Sequence, residues 1–362
     1  MNKIHAEFSS TVYNRCRGDK LNLLEMSYEE VVDAVIQMGL EKYRADQLLD
    51  WVYKKRVFTF EGMTNLSKEH RALFREKFTV KLPRLIEKRV SKIDKTTKFL
   101  YELEDGNTIE SVLLFHEGYA TACISTQVGC PIKCAFCATG QSGYVRNLTV
   151  AEIVGQVLAV ENDSGRNIRN VVYMGMGEPF LNYENVVKSL KILIHPKMKD
   201  MGVRRITLST VGIPDRIVKF ADEGLDVRLA ISLHAASNEK RDTIVPLNRK
   251  YSIEEVLQAA KIYQEKTNRR ITIEYILIRE LNDFDEDARR LAKLLKDLKV
   301  YVNLIPVNPT TAGFERPSHW KMVRFKEILL ENGIEAELRQ EKGADIEAAC
   351  GQLRLRGIRV KP

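Results

Sequence analysis

Long apolar runs are absent from this chain of 362 residues. No stretch approaches the ~18 consecutive apolar residues of a membrane-spanning helix, so no membrane partner is expected. The opening Met-Asn-Lys-Ile-His-Ala-Glu lacks the apolar centre of a secretory signal, which predicts a cytoplasmic protein. Cysteine is sparse, at six residues. In a reducing compartment, clustered cysteines point to metal binding or catalysis rather than to disulfide staples. Internal repeats and low-complexity tracts are missing too, so neither a repeat array nor a disordered chain is expected.

What remains is an ordinary globular composition, 44% apolar and 29% charged. The length suits two or three domains and a sizeable core. Acidic residues are outnumbered, 49 against 57 basic ones, for a net charge of +8. That balance leans toward a polyanionic partner. Between Lys81 and Lys98, seven basic residues stand against Glu87 and Asp94 alone. A second patch is Lys54-Lys55-Arg56, and a third is the tail with Arg354, Arg356, Arg359 and Lys361. Each patch alone could be a solvated face. Together they point to a nucleic-acid partner.

The pattern divides the chain into four parts. Residues 1–82 read as a small helical domain. Ser27-Tyr-Glu-Glu30 forms a capping box there, ahead of apolar positions at helical spacing. Residues 83–115 read as a basic linker and a β-hairpin, turning at Asp105-Gly106-Asn107. Residues 116–345 alternate strand-like runs with helical stretches. The runs are Ala122–Thr126, Val171–Met174, Ile206–Thr210, Val227–Leu233, Ile271–Leu277 and Tyr301–Pro306. Six βα units imply an α/β protein with a parallel sheet, curled into a partial (βα)6, TIM-like barrel. Residues 346–362 form a C-terminal segment that carries Cys350.

Three of the cysteines, Cys130, Cys134 and Cys137, share one loop in the run Gly129-Cys-Pro-Ile-Lys-Cys-Ala-Phe-Cys-Ala-Thr. Structural zinc normally takes four protein ligands, and a cubane cluster normally takes four thiolates. Three thiolates with no fourth nearby suggest a cluster with one open iron. Zinc completed by His116 or His234 is the alternative. Other polar residues follow the predicted strands, where this architecture places its chemistry. They are Met174-Gly-Met-Gly-Glu-Pro179, Ser209-Thr210, Ser232-Leu-His-Ala235 and Pro306-Val-Asn-Pro309. Singly each could be a loop cap. Jointly they suggest one pocket.

The cysteine loop and the Gly-Met-Gly-Glu-Pro turn together resemble the radical S-adenosylmethionine (SAM) enzymes. The resemblance implies that Cys130, Cys134 and Cys137 hold a [4Fe–4S] cluster whose open iron chelates S-adenosyl-L-methionine. It also implies a partial six-unit barrel. A narrower resemblance rests on Gly343-Ala-Asp-Ile-Glu-Ala-Ala-Cys-Gly-Gln-Leu353, Cys123, Arg146-Asn-Leu-Thr149 and Ser232-Leu-His-Ala235. It runs from about Leu21 to Leu353. These residues are similar to those of radical methyltransferases that modify C2 of an adenosine in 23S ribosomal RNA and in tRNA.

That resemblance implies a role for each matching residue. Cys350 accepts a methyl group, Glu110 takes up a proton, and Cys123 closes a transient disulfide with Cys350. Gly177, Glu178, Ser209, Ser232, Leu233, His234 and Asn308 contact the cofactor, and Phe136 packs near its adenine. It further implies an electron donor such as flavodoxin or ferredoxin. A monomer is expected. Read as residues alone, Cys123, Cys350 and Glu110 would be ordinary core or surface positions. Two alternatives stay open: a sibling enzyme that methylates C8, and a metal-stapled RNA-binding protein without catalysis. Cys16 matches nothing.

Overall fold

The computed structural model describes residues 20–308 and 313–353. Cys16, Pro309 and the basic tail from Arg354 onward lie outside the described residues. The N-terminal helices are α1 (Tyr28–Gln37), α2 (Tyr43–Leu49) and α3 (Lys68–Lys77). Helix α1 opens on the capping box read from sequence. Glu30 N donates to Ser27 Oγ at 3.2 Å, and Ser27 N donates to the Glu30 carboxylate at 2.6 Å. Helix α2 runs on into a wider π turn, Asp50–Lys54. Val31, Val35, Leu48, Leu49 and Phe74 are buried on the inner faces.

One ten-stranded sheet organises the rest, and its spatial order is its chain order. Its antiparallel part is β1 (Arg84–Val90), β2 (Thr97–Glu102), β3 (Thr108–His116) and β4 (Tyr119–Cys123). From β4 onward neighbours are parallel: β5 (Asn170–Tyr173), β6 (Ile206–Thr210), β7 (Arg228–Ser232), β8 (Ile271–Leu277), β9 (Val300–Pro306) and β10 (Ala336–Leu338). Six helices follow β4 to β9 in turn: α4 (Val150–Ser164), α5 (Tyr183–Ile194), α6 (Pro214–Ala221), α7 (Ile253–Thr267), α8 (Asp285–Leu295) and α9 (His319–Glu331). Strands β1 and β10 are the two edges. The sheet is therefore an open, partial barrel of six βα units with an antiparallel extension. Every parallel strand points its C-terminal end the same way, which is why residues distant in sequence meet at one mouth.

The helical N-terminal part docks on this barrel. Ala151 N at the start of α4 donates to Glu25 at 3.0 Å, and Lys188 of α5 pairs with Glu30 at 2.7 Å. Among the described residues, no helix is long and apolar enough to cross a membrane.

Two local departures from the sequence pattern matter for the site. The first parallel strand ends at Cys123, not Thr126, because Ile124 and Thr126 turn to meet the segment after β5. Gly175 N donates to Ile124 O at 3.0 Å, and Thr126 N donates to Met176 O at 2.8 Å. A two-strand ribbon, Gln127–Gly129 against Tyr144–Asn147, then encloses the cysteine loop.

The basic run from Lys81 to Lys98 is largely committed to the sheet edge. Lys98 is buried beside Glu110 at 3.6 Å, Lys81 pairs with Glu104 at 2.6 Å, and Arg84 pairs with Glu102. Lys88 donates to Asp163 O at 2.8 Å. Charged side chains along an edge strand also block pairing with another chain.

Candidate active site

The cysteine loop spans the mouth of the barrel. Its entry needs glycine at Gly129, where φ is +78° and an added Cβ would lie 2.0 Å from Gly143 O. The close approach lets Cys130 N donate to Gly143 O at 2.9 Å. Ile132 and Phe136 pack beneath the loop with Val211, Ile276 and Val307, and the three cysteines rim this apolar floor.

Burial pushes the Cys130 thiol up to about 12, with Glu178 and Cys137 adding to the rise. Cys134 is driven well above its ordinary value by burial, then by Cys137 and Cys130. Crowded, desolvated thiols of this kind ionise only against positive charge, which the irons of a cluster provide. Among the described residues, no three histidine, cysteine or carboxylate side chains are gathered around a single-ion point. The thiolates of a multi-iron cluster stand farther apart than the ligands of one ion. The donor set fits a [4Fe–4S] group: three thiols from one loop, an apolar floor and an open side facing a cavity.

That cavity is walled by the cysteines, Gly177, Glu178, Ser209, Ser232 and His234. Ser209 and Ser232, at the ends of β6 and β7, have hydroxyls 3.4 Å apart. His234 follows β7 with φ +64°, a left-handed backbone uncommon for a non-glycine residue. Ile276 N donates to its Nδ1 at 3.1 Å, and its ring meets Phe136 edge-on at 4.8 Å. Burial, then Arg241, pulls this imidazole down to about 3, so it is neutral.

Glu178 is buried and already accepts three hydrogen bonds. Phe180 N donates at 2.9 Å, Val211 N at 2.8 Å and the Thr210 hydroxyl at 2.8 Å. Burial nevertheless pushes its carboxyl up to about 7. The neighbouring glycines serve the chain itself. A Cβ on Gly177 would meet Gln127 atoms at 2.6 to 2.8 Å, and one on Gly175 would meet Ile124 at 2.7 Å. They let the turn close on the ribbon, with Glu178 N donating to Gln127 Oε1 at 2.9 Å.

A second cavity adjoins the first. Its walls include Val112, Cys123, Asn308, Arg339 and Cys350. Cys350, Met174 and Arg339 belong to both cavities. The segment carrying Cys350 is placed by polar contacts. Ala138 N donates to Gly351 O at 2.7 Å, and Thr139 Oγ1 donates to Leu353 O at 2.5 Å. Asn308 Nδ2 donates to Cys350 O at 2.9 Å, and Lys98 Nζ donates to Glu347 O at 2.8 Å. Cys350 is exposed while Cys123 is largely enclosed, and both are free thiols.

Not every expected residue reaches the cofactor cavity. Asn308 lines the second one, where its amide holds the Cys350 carbonyl. Leu233 is fully buried and lines neither cavity; its carbonyl accepts from Arg241 Nε at 2.8 Å. Glu110 also lines neither. It lies on β3 with the same strand parity as Val112, beside Lys98, which reaches on to the Cys350 segment.

The geometry has clear counterparts. A model of the radical SAM superfamily matches residues 124–303, and one of the ribosomal RNA large subunit methyltransferase N-terminal domain matches residues 21–80. A probable dual-specificity RNA methyltransferase RlmN of Pseudothermotoga lettingae is 69% identical over 94% of this chain and 99% of its own. Its namesake in Thermotoga maritima is 65% identical over 94% of this chain and 99% of its own. The chain belongs to the RlmN family of radical SAM RNA methyltransferases. A crystal structure of a radical SAM methyltransferase from Sphaerobacter thermophilus superposes with a TM-score of 0.88 at 42% identity, covering 92% of this chain and 99% of that one. As a member of this family, the enzyme uses a [4Fe–4S] cluster and SAM, and its substrate is RNA.

Two arginines of this RlmN-family site escaped the sequence reading. Arg241 is buried and, among the described residues, has no carboxylate in salt-bridge contact. It donates to Leu233 O at 2.8 Å, Val211 O at 2.6 Å and Asn248 Oδ1 at 3.0 Å, tying the loops after β6 and β7 together. Arg339 follows β10 and lines both cavities. Arginine is so common on surfaces that neither position carries a signal in the sequence.

Proposed function

We propose that this enzyme adds a methyl group to C2 of an adenosine in 23S ribosomal RNA and in tRNA, through S-methylated Cys350, consuming two SAM per turnover. The observation that carries this reading is Cys350 in a wall common to the cofactor cavity and the cavity holding Cys123. A residue so placed can accept a group on one side and deliver it on the other. The relatives' designation as dual-specificity RNA methyltransferases supports two RNA classes.

Adenine C2 is electron-poor and its C–H is not acidic, so it does not attack a methyl sulfonium directly. Cys350 first acts as a nucleophile and takes a methyl group. When bound, the cluster supplies the electron that cleaves a second SAM to a 5′-deoxyadenosyl radical. Cys350 gives up a hydrogen from its S-methyl group, and its methylene radical adds to C2. Glu110 accepts the C2 proton, and the unpaired electron of the adduct would pass back to the cluster held by Cys130, Cys134 and Cys137, leaving a closed-shell thioether. Cys123 then attacks the Cys350 sulfur, which releases the methylated base and leaves a disulfide. Gly177, Glu178, Ser209, Ser232 and His234 would hold SAM, with Glu178 facing its ammonium group. Asn308 and Leu233 would act from behind, through the backbone of Cys350 and of the His234 loop. The N-terminal helical unit would grip RNA through phosphates, which position a target without reading its sequence. A flavodoxin or ferredoxin in the cytoplasm would supply electrons.

The test is nucleoside mass spectrometry. Anaerobically reconstituted protein is incubated with SAM, a reductant, and unmodified ribosomal RNA or tRNA. 2-Methyladenosine in both is the expected result. 8-Methyladenosine would refute the C2 assignment. Absence of either product, despite measured SAM cleavage, would refute the assigned target.

A further inference from the structure

Arg339 has a position that nothing above accounts for. Its side chain lines the cofactor cavity, the Cys123–Cys350 cavity, and a third cavity at the N-terminal mouth of the barrel. Its backbone is fixed, since Arg339 N donates to Leu304 O at 2.8 Å. Among the described residues its guanidinium makes no hydrogen bond or salt bridge within contact distance; the charges acting on it are the Cys350 sulfur first, then Glu274 and the Cys123 sulfur. The other charged groups around the two sulfurs are committed elsewhere. Lys342 Nζ donates to Phe115 O, and Glu341 pairs with Arg316 at 2.7 Å. Glu274 accepts from Asn303 at 2.8 Å, and burial holds its carboxyl above the usual range. Burial, then Lys342 and Arg339, keeps His116 below its ordinary value and therefore neutral. The Arg339 guanidinium thus shares a cavity wall with the two thiols proposed to react with each other, and is coupled electrostatically to both.

We propose that Arg339 is the positioning residue for disulfide closure, its guanidinium bonding the Cys123 sulfur as a thiolate while that sulfur attacks Cys350. The inference rests on the roles given above to Cys123 and Cys350. Cys123 is poorly suited to the attack unaided. Burial pushes its thiol up to about 12 and the Cys350 sulfur adds to the rise, while Arg339 opposes both. The attacking species must be the thiolate. The step starts from the closed-shell thioether that joins Cys350 to the base. The Cys123 S–H bond is lost, the S–S bond forms and the Cys350 S–CH2 bond breaks. The electron pair of that broken bond goes to the methylene carbon, which takes up one proton and leaves as a methyl group. The two sulfurs are oxidised and the carbon is reduced, so no outside oxidant is needed.

The test has two readouts. In the first, reduced full-length protein without cluster is treated with oxidised glutathione. Formation of the Cys123–Cys350 disulfide is followed by peptide mass spectrometry in wild type, Arg339→Met, Arg339→Gln and Arg339→Lys. We expect Met and Gln to slow closure roughly 10- to 100-fold, the worth of one hydrogen bond to a charged group. Lys should recover most of the rate. In the second, reconstituted Arg339→Met acting on RNA should accumulate a covalent protein–RNA adduct on a denaturing gel, counted per Cys350 methylated. Closure by Met and Gln at the wild-type rate, or by Lys as slowly as by Gln, would overturn the role of Arg339. Should Met fail to fold, the Gln and Lys pair decides alone. Wild type that closes no such disulfide, with Cys123→Ala trapping no adduct, would instead overturn the underlying roles of the two cysteines.

Discussion

Replacing Gly177 by alanine should damage both the fold and the cofactor site, and the cost can be worked out from two separable causes. The backbone there has φ +105°, and a Cβ would sit 2.8 Å from Gln127 N as well as against its side chain at 2.6 and 2.7 Å. A positive φ costs an L-residue roughly 1–2 kcal/mol. Forcing an extra carbon into a filled space costs roughly 1–3 kcal/mol more, because backbone rather than a flexible side chain must yield. The expected loss is about 2–5 kcal/mol, a large part of the ~5–15 kcal/mol that holds a typical fold. Gly165→Ala is the control. Its φ is +67° with nothing within 4 Å of an added Cβ, so only the backbone cost applies. Urea unfolding of both variants should separate their midpoints, with Gly177→Ala the lower. SAM affinity should fall only for Gly177→Ala, since Glu178 is aimed by the bond from its N–H to Gln127 Oε1 at 2.9 Å. Equal unfolding midpoints for the two variants would refute the close-packing argument. An unchanged SAM affinity would refute the aiming of Glu178.

Further expectations concern charge and chemistry. Burial sets the Glu178 carboxyl at about 7, so near neutrality part of the population is protonated. An ammonium ligand needs the ionised form. SAM affinity should therefore fall as pH drops through about 7 and flatten above about 8, with proton release measurable by calorimetry in buffers of different ionisation enthalpy. Proton-independent binding across that window would contradict the assignment. The same group raises folding stability of the ligand-free protein as pH falls from about 7 toward the unfolded carboxylate range, because its folded value lies above its unfolded one. Arg241→Met strands the Leu233, Val211 and Asn248 acceptors, at ~1–3 kcal/mol each, and is offset in part by no longer burying a cation. A net loss of about 2–4 kcal/mol is expected in thermal unfolding; an unaltered melting temperature would show that the tie is dispensable. Cys350→Ala should abolish RNA methylation yet retain measurable reductive SAM cleavage, and residual 2-methyladenosine would contradict the proposed carrier.

The barrel was legible because its strands are short apolar runs between well-marked helix starts. The capping box read at Ser27 forms, and two more open α4 and α7 at Thr149 and Ser252, each with its side chain accepting from the N3 backbone. Strand ends were less legible where tertiary contacts decide them. Gln127–Gly129 is only three residues long and pairs with Tyr144–Asn147 across the cysteine loop. Strand β1 alternates exposed and half-buried positions with charged residues in both sets, which in sequence reads as a basic linker. The glycines after β5 have a packing role that the sequence does not reveal, since Gln127 and Ile124 occupy the space where a Cβ would stand. Arg241 could not be foreseen, since its burial is offset by carbonyls from two loops that meet only in the fold.

The placement of Cys350 off the regular elements suits the carrier task proposed for it. A thiol on a strand of the barrel would face one cavity and have its reach set by the sheet. The Cys350 segment has only a short 3-10 turn, Ala344–Ile346, and left-handed backbone at Gly343, Glu347 and Gly351. It is pinned on the cluster-loop side by Ala138 and Thr139, and on the antiparallel side by Lys98 and by Gly343 N, which donates to Asp94 at 2.8 Å. Hydrogen bonds hold both flanks, and between them Ile346 is only partly buried and the buried Ala348 and Ala349 are small, so the segment opens at lower cost than the core strands. Such a tether suits a sulfur that, in the proposed reaction, meets a methyl donor in one cavity and a base and a second thiol in the next. It also explains why an amide, Asn308, holds the Cys350 carbonyl rather than its side chain. The backbone is located while the thiol stays free to turn between the two cavities.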